Sequence, residues 1–197
     1  MSFRVGILLV FLGSVSSAVA GEDSVREGGV EGLLKSGRCV RCDLTGADLH
    51  GASLKSAMLQ GSTLDNANLR DADLSAARLF KARMRKADAT GAHLQQAQVR
   101  AGDLSGILLK GADLRGASLV QVNLEGADLR GADLRQATLE GAFLKNAQLT
   151  GADLRDAVLF GANLEGVDWS QAQLSGAYWY SGRRCREGSV GRCDQGP

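Results

Sequence analysis

Proline is almost absent from this chain, and its one occurrence, Pro197, is the last residue. Aromatic residues are scarce at 5%, and there are only two histidines. Neither sign of charge predominates, with 23 Lys and Arg against 22 Asp and Glu. That balance excludes a strongly basic nucleic-acid binder and, equally, a strongly acidic nucleic-acid mimic. No P-loop, G-x-S-x-G or H-E-x-x-H motif occurs, so the common phosphate-binding, serine-hydrolase and zinc-protease signatures are missing. His50 and His93 have no Ser or Cys partner in a recognisable motif and are expected to be solvated surface residues. The expectation is a non-enzyme with no cofactor. After the first twenty residues no stretch is apolar enough to span a bilayer. What the chain does have is glycine, 26 residues, and a hydrophobic content of 44%, enough to bury a core.

Arg4 precedes an apolar stretch from Val5 to Leu12, and the small residues that follow end in Ala18-Val19-Ala20 before Gly21. A positive n-region, a short apolar core and an A-x-A site make a secretory signal. The segment is too short, and too rich in Gly and Ser, for a membrane anchor. Residues 1–20 are therefore read as a cleaved signal peptide, with export to the periplasm or beyond and no stable membrane anchor afterwards. No cysteine follows the cleavage site, so lipid attachment there is not expected. Cleavage removes Arg4, and the mature charge becomes 22 minus 22, or zero.

From Cys42 to Ser181 the chain divides without a gap into 28 blocks of five. The central position is Leu in 23 of them, which makes chance repetition untenable; the exceptions are Met84, Ala89, Val99, Trp169 and Trp179. Two residues earlier stands Ala in 22, between them Asp or Asn in 13, and the block ends in Gly in 14. Neither the helical period of 3.6 nor the strand period of 2 generates a strict five. Ala and Leu two residues apart share one side of an extended backbone, the residue between them points away, and the Gly-rich end permits a turn. Stacked coils would bury Ala and Leu in one continuous column.

The motif A-(D/N)-L-x-G, as in ADLRG at Ala112–Gly116 and again at Ala127–Gly131, resembles the pentapeptide-repeat family over about 70% of the chain. The resemblance implies an all-β fold, a right-handed quadrilateral parallel β-helix with four pentads per coil. Twenty-eight pentads then make about seven coils, a rod of roughly 34 Å at the ~4.8 Å strand spacing. The implied division is a signal peptide at 1–20, an N-terminal cap at 21–41, the solenoid at 42–181 and a tail at 182–197. Within the cap, Asp23-Ser24 offers an N-cap for a short helix near residues 24–35, with Val25, Val30, Leu33 and Leu34 as its apolar side. A lid of this kind covers a sheet edge that would otherwise invite end-to-end association. Ala89 leaves its coil short of volume, and Ile107, in the next coil on the same side, is expected to fill that space.

Four cysteines allow three pairings. On the implied rod the two ends lie too far apart for a bond, which leaves Cys39–Cys42 and Cys185–Cys193. An exported protein sits where such bonds persist. Cys39-Val40-Arg41-Cys42 could instead be a redox pair, but the count places both sulfurs inward, without the βαβ context of thioredoxin-like chemistry. Zinc held by all four cysteines meets the same distance objection.

Sorting outward residues by coil gives each side a character. Asp113, Asp133 and Asp153 should form one row, with Arg115, Arg135 and Arg155 beside them as a self-neutralising ladder. Arg78, Lys81, Arg83, Arg85 and Lys86 form one basic cluster, read as a solvated face, with polyphosphate or lipid headgroups as the alternative partner. The fourth side, with central residues Leu59, Leu79, Val99, Leu119, Leu139, Leu159 and Trp179, carries Met58, Phe80, Val120, Val158, Phe160, Tyr178 and Tyr180 outward. Large apolar residues on one exposed side mark a contact surface. Either a protein partner or a second copy meets it, or the tail from Gly182 folds back over its C-terminal part; in the first case Phe80 and Val120 should be exposed. The sequence thus reads as an exported interaction or structural module. The family also includes DNA mimics that inhibit gyrase. The zero mature charge, the ladder's own arginines and the signal peptide all argue against that role here. A periplasmic thiol-redox protein using Cys39 and Cys42 is the other alternative.

Overall fold

The computed structural model describes residues 29–195. It opens with one helix, α1 (Gly29–Ser36), which leads directly into a β-solenoid. Every parallel bridge joins residues twenty apart, from Arg38↔Met58 to Val158↔Tyr178, so four pentads complete each turn. The first, second, third and fourth sides are those whose central residues begin at Leu44, Leu49, Leu54 and Leu59.

The pentad chemistry explains the path. Up to Leu159, each central N–H donates to the carbonyl nineteen residues on, as Leu44 does to Thr63 at 2.7 Å. The residue before the next turn's central position donates back, as Thr63 does to Cys42 at 2.9 Å. From Ala47 on, the N–H of each pentad's first residue closes a corner turn onto the preceding central carbonyl, as Ala47 does to Leu44 at 3.0 Å. The last pentad residue lies third in that turn and must take positive φ, +67° at Gly46, the conformation open to glycine without a Cβ penalty. Where glycine is absent the corner keeps its shape regardless. Ala76 holds φ at 54°, at a local cost of ~1–2 kcal/mol that the ladder around it offsets.

The inward positions form one core. Central Leu and flanking Ala side chains are buried throughout the middle of the stack, and so are the substitutes Met84, Ala89 and Val99. Ala89 donates its N–H to the carbonyl of Leu108 at 2.8 Å, which puts Ile107 and Ala89 on the same side in adjoining turns, both fully buried. In the twenty-residue register the inward neighbour of Ala89 in the next turn is Leu109, and that of Ile107 in the preceding turn is Ala87. Ser62, in an Ala position, is buried as well. Its hydroxyl donates to the Cys39 carbonyl and accepts from the Cys42 N–H at 3.2 Å.

The two ends are closed differently. At the N-terminal end α1 presses Leu33 onto the column, with Val30 partly buried beside it. Leu34, expected on the same apolar side, is instead 53% exposed. It lies about 100° around the helix from Leu33, and the narrow end of the stack accommodates one of the two. The expected Asp23-Ser24 cap, Val25 and the first residues of the expected helix, 24–28, lie outside the described residues, and α1 is described over Gly29–Ser36. At the other end the tail returns antiparallel, pairing Tyr178 with Arg184 and Gln173 with Val190. It closes the third and fourth sides only. The N–H groups of Leu164 and Trp169, on the first and second sides, have no partner among the described residues.

Candidate interaction surface

Outward chemistry differs from side to side because a twenty-residue register stacks like positions into rows. On the third side Arg115, Arg135 and Arg155 each clamp the aspartate two residues earlier, Asp113, Asp133 and Asp153, at 2.6 Å. Arg115 and Arg135 also lean 3.6 Å toward the aspartate of the next turn. The expected self-neutralising ladder is therefore present, and no bare row of carboxylates faces solvent there. Burial alone would raise the Asp113 and Asp153 carboxyls; the hydrogen bonds and charges of Arg115 and Arg155 more than offset it and hold both below their ordinary value. On the second side, Arg130 hydrogen bonds lower Asp128 in the same way.

The basic cluster divides in two. Asp65 is 6% exposed, and Arg83 and Arg85 close on it at 2.8 Å and 2.5 Å, with the Arg85 backbone N–H adding a bond of 3.0 Å. Burial opposes the charge of Asp65, but these donors hold its carboxyl below the usual range. The clamp is readable only once Asp65 and Arg85 are known to be twenty residues apart in one row. Arg78, Lys81 and Lys86 are exposed and make no ion pair among the described residues.

These lowered carboxylates set a pH dependence. A group whose folded value lies below its unfolded one binds fewer protons when folded, so its contribution is complete above the ordinary value of ~3.9 and is lost as pH falls through the folded value. The thermal midpoint is expected to stay level between about pH 8 and 5 and to fall below about pH 4. A midpoint that rose on acidification would contradict the clamps at Asp65, Asp113, Asp128 and Asp153.

The fourth side carries the apolar residues, but not uniformly. Phe160, Tyr178 and Tyr180 are 54%, 45% and 52% exposed. Met58, Phe80, Val120 and Val158 are half-buried. The expectation that Phe80 and Val120 stand free is corrected: the close strand spacing packs each against its row neighbours, which shield part of the side chain. The tail touches the aromatic end without covering it. Gly182 runs beside the Phe160 ring, and the Arg184 guanidinium sits 5.6 Å from the centre of the Tyr178 ring. The Trp179 ring lies 5.1 Å from Trp169 and 6.0 Å from Tyr180, tilted by 53° and 50°. Tyr180 also borders a cleft of about 310 Å³ with Ala162, Asn163, Leu164 and Glu165 on the first side. Phe143, 53% exposed on that side, was not anticipated, although its outward position in the pentad Ala142–Asn146 shows it.

The remaining candidates are settled by placement. The sulfurs of Cys39 and Cys42 lie at bonding distance, as do those of Cys185 and Cys193, with Cα separations of 5.3 Å and 5.0 Å. Cys39 is 2% exposed, and this burial removes the access that a thiol-redox role needs. His50 and His93 are both exposed, on different sides; the His50 ring meets only the Arg70 carbonyl, at 2.9 Å. Among the described residues no group of three or more His, Cys, Asp or Glu could hold a metal ion, and no helix is long and apolar enough to cross a membrane.

A family model described as pentapeptide repeats matches in eight copies, in overlapping segments that run from 38–71 to 152–178. Among solved structures, HetL from the cyanobacterium Nostoc, a pentapeptide repeat protein involved in heterocyst differentiation regulation, is 32% identical. That match covers 75% of this chain and 89% of HetL, with a TM-score of 0.29. Rfr23 from the cyanobacterium Cyanothece is 27% identical over 77% of this chain and 97% of its own, with a TM-score of 0.42. Full-length QnrB1, a plasmid-mediated fluoroquinolone resistance protein, is 20% identical over 70% and 82%, with a TM-score of 0.32. No curated protein matches the chain.

Proposed function

The chain belongs to the pentapeptide-repeat family, and from that premise we propose an exported, non-enzymatic β-helix, right-handed and of about seven coils, that works as an interaction module through its fourth side. The observation that carries this reading is the aromatic end of that side. In a protein with 5% aromatics, Phe160, Tyr178 and Tyr180 stand about half exposed on one narrow surface that the tail reaches and leaves open. Aromatic residues with this exposure are the usual anchors of contact surfaces. Export is supported by the Ala18-Val19-Ala20 pattern and by four cysteines that fall into two pairs, which we take as disulfides formed in an oxidising compartment. The DNA-mimic alternative loses support because the third-side carboxylates carry their own arginines.

Two measurements test the reading. Mass spectrometry of the exported protein should give a chain that begins at Gly21; a chain retaining residues 1–20 removes the export claim. Light scattering on that protein, beside a Phe160→Ser/Tyr180→Ser variant, reads the surface. A dimer abolished by the variant identifies the partner as a second copy. A dimer that survives the variant takes the fourth side out of the interface. A monomer of ~18–19 kDa in both directs the surface to a different partner.

A further inference from the structure

The fourth side differs from the other three in charge as well as in apolarity. The first, second and third sides each carry at least four outward acidic residues among their cations. The fourth has one, Glu140. Against it stand Arg38, Arg78 and Arg100 on the face, with Arg41 and Lys81 along the corner it shares with the first side. All five are exposed, and none makes a side-chain ion pair among the described residues. Asp156, at the opposite corner, is taken by Arg184 at 2.8 Å. Apolar side chains interleave with the cations: Val40 follows Arg38 by two residues, Phe80 follows Arg78 by two, and Val120 stacks beside Arg100 one turn on. The cations occupy the N-terminal half of the side, and the exposed aromatics Phe160, Tyr178 and Tyr180 the C-terminal half.

We infer that this side docks lengthwise on an anionic lipid bilayer, as a peripheral contact. The inference rests on the fourth side being the working surface, and it names what that surface meets. A protein interface concentrates apolar residues at a centre depleted of charge. Here cations interleave with apolar groups over the N-terminal half of one face, aromatics continue it, and it holds a single carboxylate, the composition that suits a negatively charged, laterally uniform surface. Arginine and lysine heads meet the headgroup phosphates, while half-buried apolar groups and the Tyr and Phe rings enter the interfacial region. Tyr suits that depth because its ring is apolar and its hydroxyl stays wet. The twenty-residue register keeps these groups in adjoining turns on one side of the solenoid along its length.

The test uses the chain from Gly21, because residues 29–195 contain the whole hydrogen-bonded solenoid, both caps and both cysteine pairs. Flotation with equimolar phosphatidylcholine and phosphatidylglycerol vesicles should carry the protein at about 0.1 M salt and release much of it at about 1 M, where screening shortens to ~3 Å. Pure phosphatidylcholine vesicles should carry much less. Each cation at an anionic leaflet contributes about fivefold to partition, so Arg78→Glu/Arg100→Glu should lose at least about 25-fold. Lys55→Glu/Lys110→Glu makes the same change in net charge on the third and second sides and should stay within about threefold of wild type. All four positions are exposed, and an unchanged thermal midpoint verifies folding of each variant. Equal losses in the two variants would show that net charge alone governs binding and would overturn the assignment. Failure to bind either vesicle overturns it too. If that failure comes with a dimer sensitive to Phe160→Ser/Tyr180→Ser, the fourth side remains the contact surface and a second copy replaces the bilayer.

Discussion

Leu109→Ala is expected to destabilise the protein by about 3 kcal/mol, within the usual 2–5 kcal/mol for a buried leucine, while Leu108→Ala should change stability by less than about 0.5 kcal/mol. The two residues are neighbours of identical type, so the comparison isolates position. Leu109 is fully buried at a central position, and Leu108 is 41% exposed between Asp88 and Asp128 in an outward row. Truncating Leu109 opens a cavity beside Ala89, already the smallest central residue of that row, where little remains to collapse inward. For a domain of this size the loss corresponds to roughly 6–12 °C in the thermal midpoint. Equal effects from the two substitutions would mean that the pentad frame is wrong by one residue. Each inward position would then point to solvent, and the fold described here would fail with it.

The second large effect is at the tail. Cys185→Ser/Cys193→Ser is expected to cost about 2.5 kcal/mol, because the disulfide proposed for this pair closes a nine-residue loop and restricts the unfolded chain. The loss should be felt locally. The tail pairs Arg184, just before the loop, with Tyr178 and Val190, within it, with Gln173, and the Arg183 and Ser189 carbonyls accept from the N–H groups of Trp179 and Leu174. Freed, the tail uncovers Trp179 and its partner Trp169. These are the chain's only tryptophans, so a red shift in their emission reports this end alone. An unchanged midpoint and spectrum would show that the backbone pairing holds the tail without the bond. Cys39→Ser/Cys42→Ser, with a four-residue loop, should cost less and leave the tryptophan signal untouched.

Much of the candidate surface is legible in the sequence because the repeat converts position into geometry. Once residues twenty apart are neighbours, the Asp113–Asp133–Asp153 row, its arginines and the apolar fourth side follow by counting. The Asp65 clamp and Phe143 are also countable, but they emerge only when every row is read rather than those with a conspicuous pattern. Exposure is a different matter. Phe80, Val120 and Phe160 occupy equivalent outward positions, yet only Phe160 stands more than half exposed. How far row neighbours shield a side chain depends on rotamers and on the size of the groups above and below, which the repeat does not encode.

The sequence by itself determined the inward positions and the corners, because a strict five-residue period leaves the backbone one way to bury Leu and Ala together. The character of each side followed only with the four pentads per turn that the family resemblance implies. Tertiary structure alone decided the ends, where the repeat stops and no period guides the chain. It turned Leu33 inward and Leu34 outward on α1, and brought the tail back over two sides while leaving two open. An interior coil meets copies of itself above and below; a terminal coil meets whatever segment follows. Its closure therefore depends on packing among residues that share no pattern.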